Sequence, residues 1–415
     1  MILLTHPTGN QNVRAAAISF EEAGLLSAFY TTIASFEGDV LSRISRVPGL
    51  GEIQRRAYAK ILEEKTSTFP LLESLRLAAS KASLNTLTKR DVGIFSVDAV
   101  YRNLDRQVAQ ALSQHKSNLD IKAIYAYDGG ALQGFKKAEH LGIKRFFDLP
   151  TGYWRAARAL DEREKEINPE WASSLPGLED TESKLLSKDE ELKHASHIFV
   201  ASNYVKRTLE YYPGELAPIS VIPYGFPAVG VPKTSDQVLR NDPLRVLFVG
   251  GLTQRKGISY MFDAIRPLKS HVKLTVVGRR ATGLVSPILD KCLREVNYIE
   301  SLHHHQVLEQ MRRHDVLVFP SLFEGFGLVI SEAMSQGTPV ITTTSTAGVD
   351  LIEHGVDGWV VAPGSSDQIR AALESVIDDR ARLLSMSHEA LRTASTRGWG
   401  TYKTALAKKV RECLE

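Results

Sequence analysis

The chain has 415 residues, of which 43% are hydrophobic and 24% charged, an ordinary composition for a globular protein. At about 150 residues per domain, this length predicts two or three domains and excludes a small disulfide-stapled scaffold. Two cysteines fit a reducing, cytoplasmic compartment, and a net charge of +3 is too small to indicate nucleic-acid binding. No apolar run reaches the roughly 18 residues of a membrane span, and the opening MILLTH predicts a first strand rather than a signal peptide.

Short apolar runs alternate with helical patterns along the whole chain. The predicted strands of the first half are 2–6, 121–128, 144–150, 197–202 and 219–225. Those of the second half are 244–251, 272–278, 296–300, 315–321, 338–344 and 357–363. Continuous apolar strands between helices, such as 104–112 and 189–195, predict parallel sheets that are covered on both faces. We therefore expect an α/β protein with a doubly wound sheet in each half.

A polar segment that is rich in proline and glycine, 227–243, lacks periodicity and is the predicted linker between the two halves. Residues 1–226 then form the first domain and residues 244–395 the second. Two such sheets create a cleft, and ligands of doubly wound sheets bind at the carboxyl ends of the strands.

Charge is unevenly distributed. Residues 41–145 hold 18 Lys/Arg and 10 Asp/Glu, a balance of +8, whereas residues 161–191 hold 4 and 11, a balance of −7. Both stretches fit solvated helical faces. The alternative for the basic stretch is contact with an anionic surface, such as lipid headgroups or a phosphorylated acceptor.

The densest motif is DVLVFPSLFEGFGLVISEAMSQGTPVI at 315–341. A strand is followed by a glycine loop at 324–327 and by a helix predicted over 328–336. Free N–H groups at that helix start favour an anion such as a diphosphate. Glu324 and Glu332 are eight residues apart, so they reach different parts of one hydroxyl-rich ligand. A surface Glu and an ordinary helix Glu are the plainer interpretation.

Two further glycine turns follow predicted strands. In FVGGLTQRKGI at 248–258, Arg255 and Lys256 suit phosphate oxygens, although an exposed basic turn explains them too. The spacing is not that of a Walker loop. At HPTGNQN, residues 6–12, Asn10 and Asn12 could bind an acceptor or a sugar, and a plain turn is equally consistent with the pattern.

The motifs FVGGLTQRKG and EGFGLVISEAMSQGTPVI together resemble glycosyltransferase family 4, the glycosyl transferases group 1. Segments 191–209 and 219–226 resemble the end of that family's first domain and its hinge. The resemblance implies a GT-B fold, in which two Rossmann-like domains face a central cleft. It also implies that the final helix, 396–415, returns to the first domain.

The resemblance also implies residue roles. Lys256 and Arg255 would hold the diphosphate, Glu332 the ribose hydroxyls, and Glu324 would lie beside the donor sugar. The full set of donor-binding residues would be Gly9, Gly251, Gly278, Arg279, Leu302, Gly325, Phe326, Gly327, Leu328, Val329 and Glu332. Those expected on the acceptor side are Asn10, Asn12, Tyr153 and Trp154.

Two positions depart from the family pattern. Many relatives carry Arg where this chain has Gly251, so Arg255 would replace that cation. Many also carry His near the end of the strand at 144–150, where this chain has Asp148. An aspartate there could orient a hydroxyl or act as a base, and we count it among the catalytic candidates with Glu324, Lys256 and Arg255.

The resulting expectation is a retaining enzyme that moves a hexose-type sugar from a nucleoside diphosphate sugar to a hydroxyl of a glycan or lipid-linked acceptor, in polysaccharide or glycoconjugate synthesis. Alternatives are a nucleotide-sugar-binding protein without turnover and a GT-B epimerase. We expect no metal or other cofactor, and we expect His303–His305 to form a loop rather than a metal site. The expected location is cytoplasmic, with possible contact to the inner membrane face through 41–145.

Overall fold

The computed structural model describes residues 1–39, 55–114, 120–175, 180–239, 242–281 and 283–415. Within these ranges the strands form two sheets, of seven and six strands. All neighbouring strands in both sheets run parallel, as expected for continuous apolar strands that alternate with helices. The chain is therefore an α/β protein with one parallel sheet in each half.

The first sheet has the strand order β3-β2-β1-β4-β5-β6-β7. Its strands are β1 (Ile2–Thr5), β2 (Leu26–Thr31), β3 (Thr66–Thr68), β4 (Ala123–Tyr127), β5 (Lys144–Leu149), β6 (His197–Val200) and β7 (Ile219–Val221). The helices of this half are α1 (Gln11–Glu22), α2 (Pro70–Lys81), α3 (Asn85–Thr88), α4 (Val97–Gln114), α5 (Leu132–His140), α6 (Trp154–Ile167), α7 (Glu182–His194) and α8 (Asn203–Thr208).

The second sheet has the strand order β10-β9-β8-β11-β12-β13. Its strands are β8 (Leu244–Val249), β9 (Val272–Val277), β10 (Asn297–Ile299), β11 (Val316–Phe319), β12 (Val340–Thr343) and β13 (Gly358–Val361). The remaining helices are α9 (Ser235–Val238), α10 (Ile258–Ile265), α11 (Pro287–Arg294), α12 (His304–Arg313), α13 (Leu328–Ser335), α14 (Gly348–Leu351), α15 (Ser366–Ile377), α16 (Arg380–Thr396) and α17 (Trp399–Leu414). The strand order reverses between β8 and β11, where such sheets form a ligand crevice.

The last helix, α17, packs on the first half of the chain. Ser19 Oγ of α1 donates to the carbonyl oxygen of Lys403 at 2.6 Å, and Lys403 Nζ lies 2.7 Å from a carboxylate oxygen of Glu22. The backbone N–H of Phe226 donates to the carbonyl oxygen of Arg397 at 2.8 Å. The chain therefore crosses between the two halves twice, and the two crossings are bonded to each other.

The eleven predicted strands are all present, each ending one to four residues earlier than expected. The sequence analysis missed β2 and β3. Strand β3 is only three residues long and polar, so it carries no apolar run. In β2, Ser27 divides the apolar residues and Thr31 ends the strand, so its apolar run is short. The predicted linker contains α9. The histidines at 303–305 begin helix α12 rather than forming a loop.

Candidate functional site

Two loops meet at the reversal point of the second sheet. The loop after β8 ends in a 3₁₀ turn, Gln254–Lys256, and the loop after β11 carries Glu324. Lys256 Nζ forms an ion pair with Glu324 Oε2, and both side chains are partly exposed, at 26% and 20%. The ammonium also lies 5.3 Å from the ring centroid of Phe319. A cation and a carboxylate from distant segments are therefore held together at the crevice.

Glycine 257 lets these loops approach closely. Its φ is +69°, and a Cβ at this position would lie 2.0 Å from the carbonyl oxygen of Pro320. The backbone N–H of Leu322 donates to the carbonyl oxygen of Arg255 at 2.9 Å. A side chain at 257 would be strained and would push the loops apart, so this glycine fixes the Lys256–Glu324 pairing.

Helix α13 starts directly behind Glu324. Gly327 caps it with φ +81°, a conformation that favours glycine, and as a glycine it offers no side chain to accept from the first N–H groups. The N–H groups of Leu328 and Val329 are at the positive end of this helix, which follows the loop that carries Glu324. This geometry suits an anion with several oxygens.

Glu332 lies one turn further along α13. Burial raises the pKa of its carboxyl group, and the neighbouring His304, whose Nδ1 is 3.7 Å from Oε1, opposes this rise. His304 is on α12, which follows β10. Glu332 is therefore a mostly buried acceptor that faces the β10 side of the crevice, on the opposite side of α13's first turn from Glu324.

The residues expected near the base lie after β9 and β10. A Cβ on Gly278 would lie 1.8 Å from the carbonyl oxygen of Gly250, so the turns after β8 and β9 touch. Arg279 Nη2 donates to Ser301 Oγ at 3.0 Å, and Leu302 is half-buried beside it. Gly251 is exposed, and a Cβ there would meet nothing within 4 Å. The structure thus leaves open space at the position where relatives carry arginine.

Arg255 points away from Lys256 and toward the first half of the chain. Its Nη2 lies 2.6 Å from Asp161 Oδ2 and its Nε 3.3 Å from Oδ1, while the guanidinium covers the Phe323 ring at 5.6 Å. Next to it, Gln254 Nε2 donates to Glu164 Oε2 at 2.9 Å. The expected diphosphate role of Arg255 stays a prediction, because its charge is already matched by a buried aspartate.

The loop after β11 is also wedged against the first half. A Cβ on Gly325 would lie 2.1 Å from the carbonyl oxygen of Pro150, and a Cβ on Gly152 would lie 2.3 Å from Cζ of Phe323. Ser202 Oγ donates to the carbonyl oxygen of Gly325 at 2.7 Å. Phe326 is buried and packs on Tyr224, with their ring centroids 5.0 Å apart. The Glu324 loop is therefore positioned by both halves.

On the acceptor side, the residues of the glycine loop after β1 make contacts within the protein itself. A Cβ on Gly9 would lie 2.4 Å from the phenol oxygen of Tyr58. Asn10 caps α1 by accepting from the N–H of Val13, and the buried Asn12 donates to the Tyr224 hydroxyl at 3.1 Å. These contacts explain the residues without a ligand, and their predicted binding roles stay predictions.

Asp148 is enclosed rather than lining the crevice. It is 3% exposed, and the Tyr125 hydroxyl donates to its Oδ2 at 2.6 Å. Burial raises the pKa of this carboxyl to about 7, and the Tyr125 hydrogen bond partly opposes that rise. In this structure a tyrosine is the partner of Asp148, and the catalytic role of Asp148 stays a prediction.

Tyr153 and Trp154 are likewise buried, at 2% and 5%. Tyr153 Oη and Trp154 Nε1 both donate to Asp189 Oδ1, at 2.5 and 2.7 Å, and the Arg155 guanidinium covers the Trp154 ring at 4.2 Å. Their polar atoms and ring faces are used in packing α6 on α7. Core packing therefore explains both residues without a ligand, and their expected place on the acceptor side stays a prediction.

Sequence analysis missed the partners that hold the site together, Asp161, Glu164, Ser202 and Tyr224. Asp161 and Glu164 fall within the acidic stretch 161–191, which was interpreted as a solvated face. Both are nevertheless buried, at 3% and 4%. Ala157, Asp161 and Glu164 follow each other at four- and three-residue spacing, so they lie on one face of the helix. This spacing is a signal in the sequence that could have indicated an inward-facing acidic stripe.

Residues 232–393 match the family model described as Glycosyl transferases group 1. The second half of this chain is therefore similar to the group 1 glycosyltransferases. A curated relative, the glycogen synthase of Mycobacterium tuberculosis, is 28% identical over 277 residues, which cover 65% of this chain and 64% of the relative. Across the curated relatives the matched part spans 36% to 64% of their lengths.

Two solved structures share the fold of this chain over nearly its full length. Sucrose-phosphate synthase from Thermosynechococcus elongatus has a TM-score of 0.65 and 16% identity, covering 99% of this chain and 98% of the other. Anabaena HepE, solved in complex with UDP-glucose, has a TM-score of 0.61 and 17% identity, covering 99% of each chain. At these identities the likeness establishes the GT-B fold.

Proposed function

We propose that this chain transfers a hexosyl group from a nucleoside diphosphate sugar to an acceptor hydroxyl, with retention of configuration. The observation that carries the proposal is the Lys256–Glu324 pair at the reversal point of the second sheet, beside the open start of α13. A cation and free N–H groups suit a diphosphate, and a carboxylate next to them suits sugar hydroxyls.

The names of similar proteins support this donor class. HepE was solved with UDP-glucose, and a trehalose-6-phosphate synthase of the same fold, 12% identical with a TM-score of 0.59, was solved with UDP-2-fluoro glucose. The name of the mycobacterial relative, glycogen synthase, denotes addition of sugars to a polysaccharide. We extend these properties to this chain as part of the proposal, including a role in polysaccharide or glycoconjugate synthesis.

In the proposed reaction, the bond between the sugar C1 and the diphosphate oxygen breaks, and a bond from C1 to the acceptor oxygen forms. Lys256 and the N–H groups of Leu328 and Val329 stabilise the negative charge that develops on the departing diphosphate. The acceptor hydroxyl gives its proton to an oxygen of that phosphate, so no protein base is needed. We propose that these groups act without a metal ion.

Donor binding must first separate Lys256 from Glu324. We propose that the diphosphate replaces Glu324 as the partner of Lys256, and that Glu324 then accepts hydrogen bonds from the donor sugar. The partial exposure of both side chains allows this exchange without unfolding the loops. Arg255 keeps its pairing with Asp161 and holds the two halves together around the donor.

The test is thermal stabilisation of the purified protein by UDP, GDP, ADP and CMP, each for wild type and Lys256→Ala. A nucleotide at about 100 times its Kd adds about 2.7 kcal/mol to wild type, and it should add much less to the variant. Lys269→Ala is the matched control, because Lys269 forms an exposed ion pair with Glu295 elsewhere in the same half. Equal stabilisation of all three proteins would remove Lys256 from the diphosphate site.

Turnover separates a transferase from a protein that only binds nucleotide sugars. Wild type should release nucleoside diphosphate from the stabilising donor when a hydroxyl acceptor is present, and Glu324→Ala should not. Addition of a metal chelator should leave the wild-type rate unchanged. Nucleotide binding by wild type without any release across donors and acceptors would favour the binding protein.

A further inference from the structure

Residues 69–97, here named the 69–97 lobe, expose many large apolar side chains. The described ranges contain fourteen large apolar residues that are exposed, and six of them fall in this short lobe. They are Leu71, Leu75, Leu84, Val92, Ile94 and Val97. Single exposed apolar residues are normal on a soluble protein, whereas a concentration of them marks a contact surface.

Helix α2 presents part of this surface as one stripe. Leu71, Leu75 and Ala78 are exposed and follow each other at four- and three-residue spacing, so they lie on the same helix face. Leu71 is 75% exposed. Glu73 and Ala79 of the same helix are buried. The helix therefore carries an apolar stripe that is open to solvent, most fully at Leu71.

The remaining lobe surface is cationic. Residues 69–97 contain four Lys/Arg and two Asp/Glu. Lys81, Lys89 and Arg90 are exposed. Both acidic residues are buried, at 1% for Glu73 and 8% for Asp91, and both are paired with arginines. The lobe therefore shows solvent its apolar side chains and its cations but neither of its carboxylates.

We propose that the 69–97 lobe docks this protein on an anionic phospholipid bilayer. Apolar side chains next to lysine and arginine, without exposed carboxylates, match acyl chains below a layer of anionic headgroups. The basic stretch 41–145 indicated an anionic partner only by its charge surplus, and its residues 41–54 and 115–119 lie outside the described structure. The apolar stripe is what selects a bilayer over a soluble anion.

The lobe is connected directly to the acceptor side of the crevice. Glu73 of α2 forms a buried ion pair with Arg56, and Arg56 Nη1 donates to the carbonyl oxygen of Pro7 at 3.3 Å, in the glycine loop after β1. Docking would hold that loop near the bilayer and favour an acceptor carried on a lipid. This last step rests on the proposed function, whereas bilayer binding itself does not.

The experiment is co-sedimentation of the full chain with vesicles of phosphatidylcholine alone or mixed with phosphatidylglycerol, at low and high salt. We expect binding to the anionic vesicles that weakens with salt. Lys81→Gln/Lys89→Gln should lower the partition coefficient about 25-fold, since each cation near such a surface contributes about fivefold. Leu71→Ser/Leu75→Ser should lower it by about tenfold or more, because two apolar anchors are lost.

The matched control variants carry the same types of substitution at exposed positions outside the 69–97 lobe. Val231→Ser/Val285→Ser removes two exposed apolar side chains of the second half, and Lys273→Gln/Lys408→Gln removes two exposed cations. Both controls should bind as wild type does, and all variants should keep the wild-type circular dichroism spectrum. No binding to anionic vesicles, or binding that the lobe variants leave unchanged, would overturn the proposal. So would a wild-type dimer that Leu71→Ser/Leu75→Ser converts to a monomer, since the stripe would then be a contact between copies.

This surface is a peripheral one. In the described ranges, no helix combines the length and the apolar character that crossing a bilayer requires.

Discussion

Replacing Glu324 by glutamine should have opposite effects on nucleotide binding and on sugar transfer. Glu324→Gln keeps the size and shape of the side chain but removes the charge that pairs with Lys256. In the proposed exchange, that carboxylate competes with the diphosphate for the lysine. We therefore expect the variant to bind a free nucleoside diphosphate more tightly than wild type and to transfer sugar more slowly.

The size of the binding gain follows from two contributions. The Lys256–Glu324 pair is 26% and 20% exposed, so breaking it costs only about 0.2–1 kcal/mol. A carboxylate about 6 Å from a phosphate charge repels it by roughly 0.7–2.8 kcal/mol for effective dielectric constants between about 80 and 20. Together they predict a gain of about 0.9–3.8 kcal/mol, which is roughly 5- to 500-fold in Kd.

The loss of transfer has a separate cause. A hydrogen bond from a sugar hydroxyl to a carboxylate is worth about 1.5–3 kcal/mol, and the amide replaces it only in part. We expect kcat/KM to fall by roughly 10- to 100-fold while nucleotide affinity rises. Such opposite changes are hard to obtain from a general distortion of the loop.

The assay is calorimetric titration with the nucleoside diphosphate that stabilises wild type, followed by initial transfer rates. Lys256→Ala should bind the nucleoside diphosphate more weakly than wild type does. When Glu324→Gln is added to Lys256→Ala, the affinity should rise only by the part that comes from lost repulsion, because there is no longer an ion pair to break. Glu309→Gln is the control, because Glu309 pairs with Arg313 on the surface of α12. Weaker nucleotide binding by Glu324→Gln would refute the exchange and make Glu324 part of the nucleotide site.

Three other substitutions test neighbouring parts of the structure. Gly251→Arg meets open space and adds a cation at the crevice, so nucleoside diphosphate should bind about tenfold tighter by titration; Gly400→Arg, on exposed α17, is the control and should change nothing. Asp148 holds its proton in the folded state up to about pH 7 but loses it near pH 4 when unfolded, so it lowers stability as pH rises between those values. Asp148→Asn should therefore stabilise the protein more at pH 8 than at pH 5 in melting experiments, and an equal shift at both would contradict the burial argument. Gly325→Ala places a Cβ against the carbonyl oxygen of Pro150 and should lower the transfer rate with a stability loss of about 1–3 kcal/mol; an unchanged rate would mean that this contact does not position the loop.

Much of the fold could be predicted because its signals are local. Apolar runs of four to six residues, glycine turns and helical spacing are properties of neighbouring residues, and they located eleven strands and the helix that follows Gly327. The domain limits at 226 and 244 stay predictions. Strand β3 was missed because a three-residue polar edge strand is defined by its hydrogen bonds to β2 and not by its own side chains.

The sequence by itself determined that this chain alternates strands and helices in two halves, and that its glycine loops and charged side chains follow strand ends. Tertiary structure decided which charges meet. Lys256 and Glu324 are 68 residues apart, and Arg255 and Asp161 are 94 apart, so no local pattern pairs them. Burial was decided in the same way: Asp148 is polar in sequence, yet strand packing encloses it with Tyr125. Pairing and desolvation depend on the whole neighbourhood of a side chain, and only the folded chain supplies that neighbourhood.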